Sequence, residues 1–292
     1  MNLLNHNNDE PVLHVGVGLD MGRARVGKPN QDSVGVFSDY CLDDMRVAVN
    51  GRLYAVADGM GGAAGGQHAS RVAVEALMRT FYSAAALNTG AQLLRAIQAA
   101  NAAVYELAQS EPALDGMGTT IVAVVLHNDT ALIANVGDSR AYVVRNGAAQ
   151  QWSTDHSLVG EHVRHGALTL EQAAHHPQRN IILLNLGYEP HAQPDIVSSV
   201  LQNGDALVLC SDGVWSALPD AEIARIVTEH NGQAAYALVE AANAAGGPDN
   251  IGVVVVGIER LAPRAPPSVA TAAIGVTQPL PPCQAPIPSN QR

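Results

Sequence analysis

The chain of 292 residues is short of positive charge. Its 16 Lys and Arg stand against 27 Asp and Glu, a formal net charge of −11 at pH 7 with His neutral. That balance argues against a binder of nucleic acid or an anionic membrane, which would need a basic face, so neither is an expected partner. Long hydrophobic runs are also missing. No apolar stretch exceeds eight residues even with Gly counted, as over 251–258, and a bilayer span needs about 20. The first 14 residues show no basic segment followed by an apolar one, so no secretory signal is expected. Cys41, Cys210 and Cys283 are odd in number and far apart. They exclude a CxxC pair and a disulfide framework, and a reducing, cytoplasmic setting is expected. What the chain does have is 47% hydrophobic residues. That excludes wholesale disorder and, at this length, supplies a sizeable core.

Composition breaks once. Residues 261–292 hold eight of the 16 prolines, two arginines and no acidic residue. Proline at this density blocks both helix and ladder. The segment is expected to be a disordered tail, either inert or a binding tail carrying Thr271 and Thr277, behind one folded domain over 1–260.

Apolar patterning within that domain predicts strands at 12–19, 34–37, 53–57, 119–126, 131–136, 141–145, 205–211 and 251–258. Helical spacing predicts 67–84, with Val72, Ala76, Leu77 and Phe81 inward, and 91–109, with Leu94, Ile97, Val104 and Leu107 inward. Two shorter helices fit near 220–229 and 233–245. Gly137-Asp138-Ser139-Arg140 reads as a tight hairpin turn. Residues 153–180 are polar and His-rich. Many strands with helices in pairs predict an α+β fold: a β-sandwich of two antiparallel sheets flanked by pairs of α-helices.

Four carboxylates stand where apolar runs end. Asp58 follows LYAVA, Asp138 lies in the 137–140 turn, Asp212 follows LVLCS, and Asp249 precedes the closing strand. Strand ends are where a rigid scaffold presents groups to a cleft. Clustered carboxylates repel unless they are protonated or bind cations. Oxygen donors without a His or Cys set point to Mg²⁺ or Mn²⁺. Ordinary turn chemistry competes with this reading, because Asp-Gly and Asp-Ser are common turn pairs. Residues 59–64 also match a dinucleotide fingerprint, G-x-G-x-x-A, but the segments that follow lack the βαβ repeat it requires.

The motifs taken in series say more. They are GRARVGKPNQDSVGVF (22–37), LYAVADGMGG (53–62), GMGTT (116–120), NVGDSRAY (135–142), STDHS (153–157), HPQRN (176–180), LCSDGVW (209–215) and PDNIGVVVV (248–256). In this order and spacing they resemble the metal-dependent protein serine/threonine phosphatases of type 2C, in their bacterial form, over about residues 14–258. The resemblance implies a helix-flanked β-sandwich that hydrolyses phosphoserine and phosphothreonine by direct attack of a water bridging two Mn²⁺ or Mg²⁺ ions. It implies Asp58 as the carboxylate bridging both ions and the Gly59 carbonyl as a ligand of the second. Asp212 and Asp249 correspond to ligands of the first, and Asp138 with Asp212 to a third, weaker site. Asp32 corresponds to the residue that holds metal-bound water, and an arginine upstream of it to the phosphate clamp. Residues 156–180 correspond to a flap beside the site. The implied partners are phosphorylated proteins and a bacterial-type Ser/Thr kinase, with the chain acting as a monomer. A catalytically inactive, phosphoprotein-binding module of the same fold is the alternative, and the intact aspartate set argues against it.

This sequence departs from the family pattern at several places. Gln31 and Gln67 replace common Glu residues, Ala63 a common His, and Leu184 a common Arg. Met60 stands where eukaryotic relatives carry a His proposed as general acid, which leaves water or another group to protonate the leaving oxygen; His156 is the candidate by motif, but a packed, structural role is expected of it. The clamp arginine is usually five residues before the aspartate, a position held here by Gly27. A two-residue insertion at 27–29 that bulges as a turn would leave Arg25 in the clamp and turn Arg23 to solvent. Arg140 is expected to be a structural partner rather than a substrate contact.

Overall fold

Continuous apolar runs such as IVAVVL can be buried on both faces, and the chain uses them so. A computed structural model describes residues 10–41, 43–83 and 88–262; beyond Ala262 the expected tail lies outside the described residues. The strands are β1 (Val12–Asp20), β2 (Asp32–Val36), β3 (Arg52–Met60), β4 (Gly118–Thr119), β5 (Ile121–His127), β6 (Thr130–Val136), β7 (Arg140–Arg145), β8 (Ala148–Gln151), β9 (Asp195–Val200), β10 (Ala206–Cys210) and β11 (Ile251–Arg260). They form two antiparallel sheets, ordered β1-β11-β10-β7-β8 and β2-β3-β5-β6-β9, with β4 paired to the end of β3. The helices are α1 (Asp44–Asn50), α2 (Gly62–Phe81), α3 (Thr89–Ser110), α4 (Leu158–Arg164), α5 (Leu170–Ala174), α6 (Asp212–Trp215), α7 (Asp220–His230) and α8 (Ala234–Ala244).

Three apolar layers hold these elements together. Between the sheets, Tyr54, Val56, Val122, Val124 and Ile133 meet Val143, Leu207, Leu209, Val254 and Val256. The opposite face of β3 and β5, with Leu53, Ala55, Ala123 and Val125, is covered by Leu77, Phe81, Leu93, Ile97 and Val104 of α2 and α3. On the other sheet, Val208, Cys210, Val253 and Val255 lie under Ile223, Val227 and Leu238 of α7 and α8. Each central strand is thus covered on both faces, which is why its sequence is a run rather than an alternation. The expected α+β sandwich with helix pairs outside is the observed fold.

Several local expectations differ. The 137–140 segment is not a hairpin turn. β6 pairs with β5 and β9, whereas β7 pairs with β10 and β8, so residues 137–139 cross from one sheet to the other. The expected strand 119–126 is two strands, because Thr120 leaves the ladder and its N–H donates to Asp58 O at 2.8 Å. Helix α2 starts at Gly62, five residues early. Its inward face carries Ala69, Ala73, Val74, Leu77, Met78 and Phe81, while Val72 and Ala76 only flank that core. In α3, Leu94 is exposed and Leu93 buried. Helices α1, α4 and α5 and strands β8 and β9 had no strong apolar period to announce them.

Candidate active site

Register brings two acids face to face. β2 pairs with β3 so that Asp32 lies opposite Asp58, an arrangement that like charges disfavour. Asp58 lies within β3, two residues before its end, rather than in a turn. Its backbone is held tightly. The Asp58 N–H donates to Thr120 Oγ1 at 3.0 Å, and Asp58 O accepts from Thr120 N and Thr119 Oγ1, both at 2.8 Å. Next to it, Gly59 N donates to Gln31 O at 3.0 Å. A Cβ on Gly59 would stand 1.9 Å from Gly66 O, and one on Gly66 2.6 Å from Gly59 O. The glycine-rich start of α2 therefore lets its backbone press directly on β3 beside Asp58.

The other carboxylates arrive from the facing sheet. Asp212 opens α6 directly after β10, and Asp249 lies two residues before β11. Asp138 sits in the crossing segment, 4% exposed. Asp32 is equally buried, and its Oδ2 accepts a 2.6 Å hydrogen bond from Ser211 Oγ. The group repels itself. Burial first, then Asp32, Asp212, Asp138 and Asp249, push Asp58 well above the ordinary carboxylate range. Burial pushes Asp32 up to about 7, with Asp212 and Asp249 adding to it and the Ser211 bond opposing. Burial, Asp212 and Asp155 push Asp138 up to about 8, against Arg140. Burial and Asp249 push Asp212 up to about 6.

Arg25 brings a guanidinium to the Asp249 edge of this cluster. The 3₁₀ turn Arg23–Arg25 closes with Arg25 N on Gly22 O at 3.0 Å, and Lys28 N returns to Arg25 O at 2.9 Å. Its Nη1 pairs with Asp249 Oδ1, and its Nη2 donates to Gln31 Oε1 at 3.1 Å. Gln31 Nε2 in turn donates to Gly62 O at 2.6 Å. Arg23 and Lys28 are exposed.

Two motif residues are engaged elsewhere. The Arg140 guanidinium grips Asp155 through Nε and Nη2, donates to Tyr142 Oη at 2.9 Å and lies 3.8 Å over the Trp215 ring. Buried His156 takes the Gly137 N–H on Nδ1 at 3.3 Å and faces Asp195 Oδ2 through Nε2 at 3.3 Å. The sequence reading missed Thr119, Thr120, Ser139, Ser211 and Asn250. Asn250 accepts from Gln31 N at 2.9 Å and donates to Met21 O at 2.9 Å, tying the Arg25 loop to β11. Ser139, Ser211 and Asn250 adjoin motif aspartates, and Thr119 and Thr120 close the GMGTT motif; those were the available signals.

The donor chemistry suits a hard divalent cation. Asp32 Oδ1 and Asp212 Oδ1 are buried with no hydrogen-bond partner, a state that is costly unless a cation or proton satisfies it. Among the described residues no three His, Cys, Asp or Glu side chains already converge on one ion position, and Asp249 is turned to Arg25. The raised carboxyls set a testable pH dependence. Their folded pKa values lie above the usual 3.8. Between about pH 4 and 8 the folded state therefore holds more protons than the unfolded one, and stability falls as pH rises. Chelator-stripped protein is expected to melt about 5 °C or more lower at pH 8 than at pH 5, with Mn²⁺ raising Tm more at pH 8. A melting temperature that rises across that window would contradict this.

A helix-flanked double sheet with acids gathered at one end and an arginine at their edge suits a hydrolase of phosphate esters assisted by divalent metal. Known proteins agree. The family model described as Protein phosphatase 2C matches residues 21–240. The chain is 38% identical over 250 residues to the serine/threonine phosphatase stp of Listeria innocua, across 84% of this chain and 95% of that protein. The serine/threonine phosphatase of S. agalactiae superposes with a TM-score of 0.76 at 36% identity, covering 85% of this chain and 100% of that one. The catalytic domain of the phosphatase PstP, solved with two manganese ions, superposes at 0.71 with 32% identity over 84% and 98% of the two chains. The chain belongs to the protein phosphatase 2C family of metal-dependent enzymes. It is a protein serine/threonine phosphatase, and its substrates are phosphoproteins.

Proposed function

We propose that the chain removes phosphate from serine and threonine side chains using two Mn²⁺ or Mg²⁺ ions and a third held more weakly. It acts as a cytoplasmic monomer and opposes a bacterial-type Ser/Thr kinase. The observation that carries this reading is the gathering of Asp32, Asp58, Asp138 and Asp212, which repel one another, beside the Arg25 guanidinium. Bare carboxylates repel a phosphomonoester dianion, so the cluster needs cations before it can bind substrate. Asp58, Asp212, Asp249 and the Gly59 carbonyl would hold the two ions, and Asp138 with Asp212 the third. Bound there, they supply positive charge to the phosphate and acidify the water that attacks it.

The chain's own groups do the rest. Ser211 fixes Asp32 Oδ2 and leaves Oδ1 free to orient a water. Arg25 offers a planar fork suited to two phosphate oxygens, and neutral Gln31 supports it without cancelling its charge. Met60 has no proton to give and both ring nitrogens of His156 are engaged, so the leaving oxygen takes its proton from water. Among the described residues no helix is long and apolar enough to cross a membrane. The inactive-module alternative has no support in a site that retains the whole aspartate set. Phosphopeptide profiling of a strain lacking the protein tests the substrate class. Phosphoserine and phosphothreonine sites, kinase sites among them, are expected to rise and then to be stripped by the purified enzyme. A rise confined to phosphotyrosine would refute it.

A further inference from the structure

Asp58 and Asp138 come from structurally separate places, one from β3 and the other from the segment that crosses between sheets. One side chain joins them. Thr120, fully buried between β4 and β5, accepts the Asp58 N–H on its Oγ1 at 3.0 Å, and the same Oγ1 lies 2.7 Å from Ser139 Oγ. Its own N–H returns to Asp58 O at 2.8 Å. Thr120 also sets the shape of the crossing. A Cβ on Gly137 would stand 2.6 Å from Thr120 Cγ2, and Gly137 takes φ +104 beside it. The far side of the crossing is held independently by the Arg140 grip on Asp155, which makes no contact with Asp58. The hydroxyl of Thr120 is thus a buried link between the backbone of Asp58 and the hydroxyl of Ser139, the residue next to Asp138.

We propose that Thr120 is a positioning residue, its hydroxyl and that of Ser139 setting the Asp138 carboxylate against Asp58. The proposal rests on the metal-binding reading above and adds a residue to it. Neither hydroxyl touches the reacting atoms. Without the Thr120 hydroxyl the Asp58 backbone keeps its carbonyl bonds from Thr120 N and Thr119 Oγ1, so the loss of either hydroxyl falls on the site Asp138 serves and spares the sites it does not. Groups that orient ligands typically change metal affinity by about 10–100-fold when removed.

Mn²⁺ binding isotherms, read by the paramagnetic signal of free ion and independent of turnover, test this on the full-length chain. Thr120→Val keeps the branched shape and removes the hydroxyl. It is expected to weaken the loosest Mn²⁺ site by roughly tenfold or more, as Asp138→Ala does, while the tighter sites stay within about twofold of wild type. Thr120→Ser, which keeps the hydroxyl, should restore the wild-type isotherm. The double variant Thr120→Val/Asp138→Ala should bind no worse than Asp138→Ala alone, because both changes act on one site. Ser139→Ala leaves the Asp58 N–H paired, and carries the same expectation should Thr120→Val fail to fold. Wild-type isotherms for both Thr120→Val and Ser139→Ala, or a double variant that loses the tight sites as well, would overturn the inference. A wild-type protein that binds no Mn²⁺ would overturn the metal reading and this inference with it.

Discussion

Asp58→Asn is expected to fold and to lose more than about a hundredfold of turnover, beyond the 10–100-fold in metal affinity that supporting groups alone command. The Asp58 carboxyl is raised by burial first and then by Asp32, Asp212, Asp138 and Asp249 together. As the proposed bridge of two ions it would serve both water activation and neutralisation of the phosphate, and an amide of the same shape would serve neither. The same substitution removes the charge that its neighbours most oppose, so metal-free protein should melt higher than wild type. The two readouts move in opposite directions, which separates loss of function from loss of fold. Assay of kcat on a phosphothreonine peptide at saturating Mn²⁺, with melting after chelation, checks both. Turnover above about a tenth of wild type, under 1.4 kcal/mol on the barrier, would refute Asp58 as the bridge.

Arg25→Ala is expected to lower kcat/KM on the same peptide by about a hundredfold. Hydrogen bonds to charged groups contribute roughly 1.5–3 kcal/mol each, and two of them to phosphate exceed the approximately 2.8 kcal/mol that a hundredfold requires. The guanidinium already reaches the acids, pairing with Asp249 and resting on Gln31. Arg23 and Lys28 are exposed on the same turn, so Arg23→Ala and Lys28→Ala should each change kcat/KM by less than about fivefold. Arg25→Lys should recover only part of the loss, since a point charge cannot take two oxygens at once. Were Arg23→Ala or Lys28→Ala the crippled variant, the clamp would lie elsewhere on the turn.

The layers of the fold and the acids of the site were readable because each has a strong local cause. Runs such as 121–126 and 251–256 can only be buried strands, and each acid follows or precedes one. The crossing at Gly137–Arg140 was misread because Gly-Asp-Ser looks the same in a hairpin and in a connection between sheets; pairing partners decide, and they lie at β9, β10 and β8. Helix α2 was started too late because the glycines at 61–66 have poor helix propensity, yet the close approach to Gly59 demands one of them, Gly66. Leu93 and Leu94 were exchanged because a one-residue phase error turns a helix by about 100°. Thr120 and Ser211 carried no periodicity at all. Their importance comes from which buried atom they reach, and that is a property of three-dimensional proximity.

The most direct test of the account is titration of metal-stripped protein with Mn²⁺ while hydrolysis of a phosphothreonine peptide is followed. The account predicts negligible turnover without metal, a saturable rise as Mn²⁺ is added, partial replacement by Mg²⁺, and no rise in Asp58→Asn. Undiminished hydrolysis in the presence of chelator would show that the carboxylates do their work without cations, and the central claim would fall.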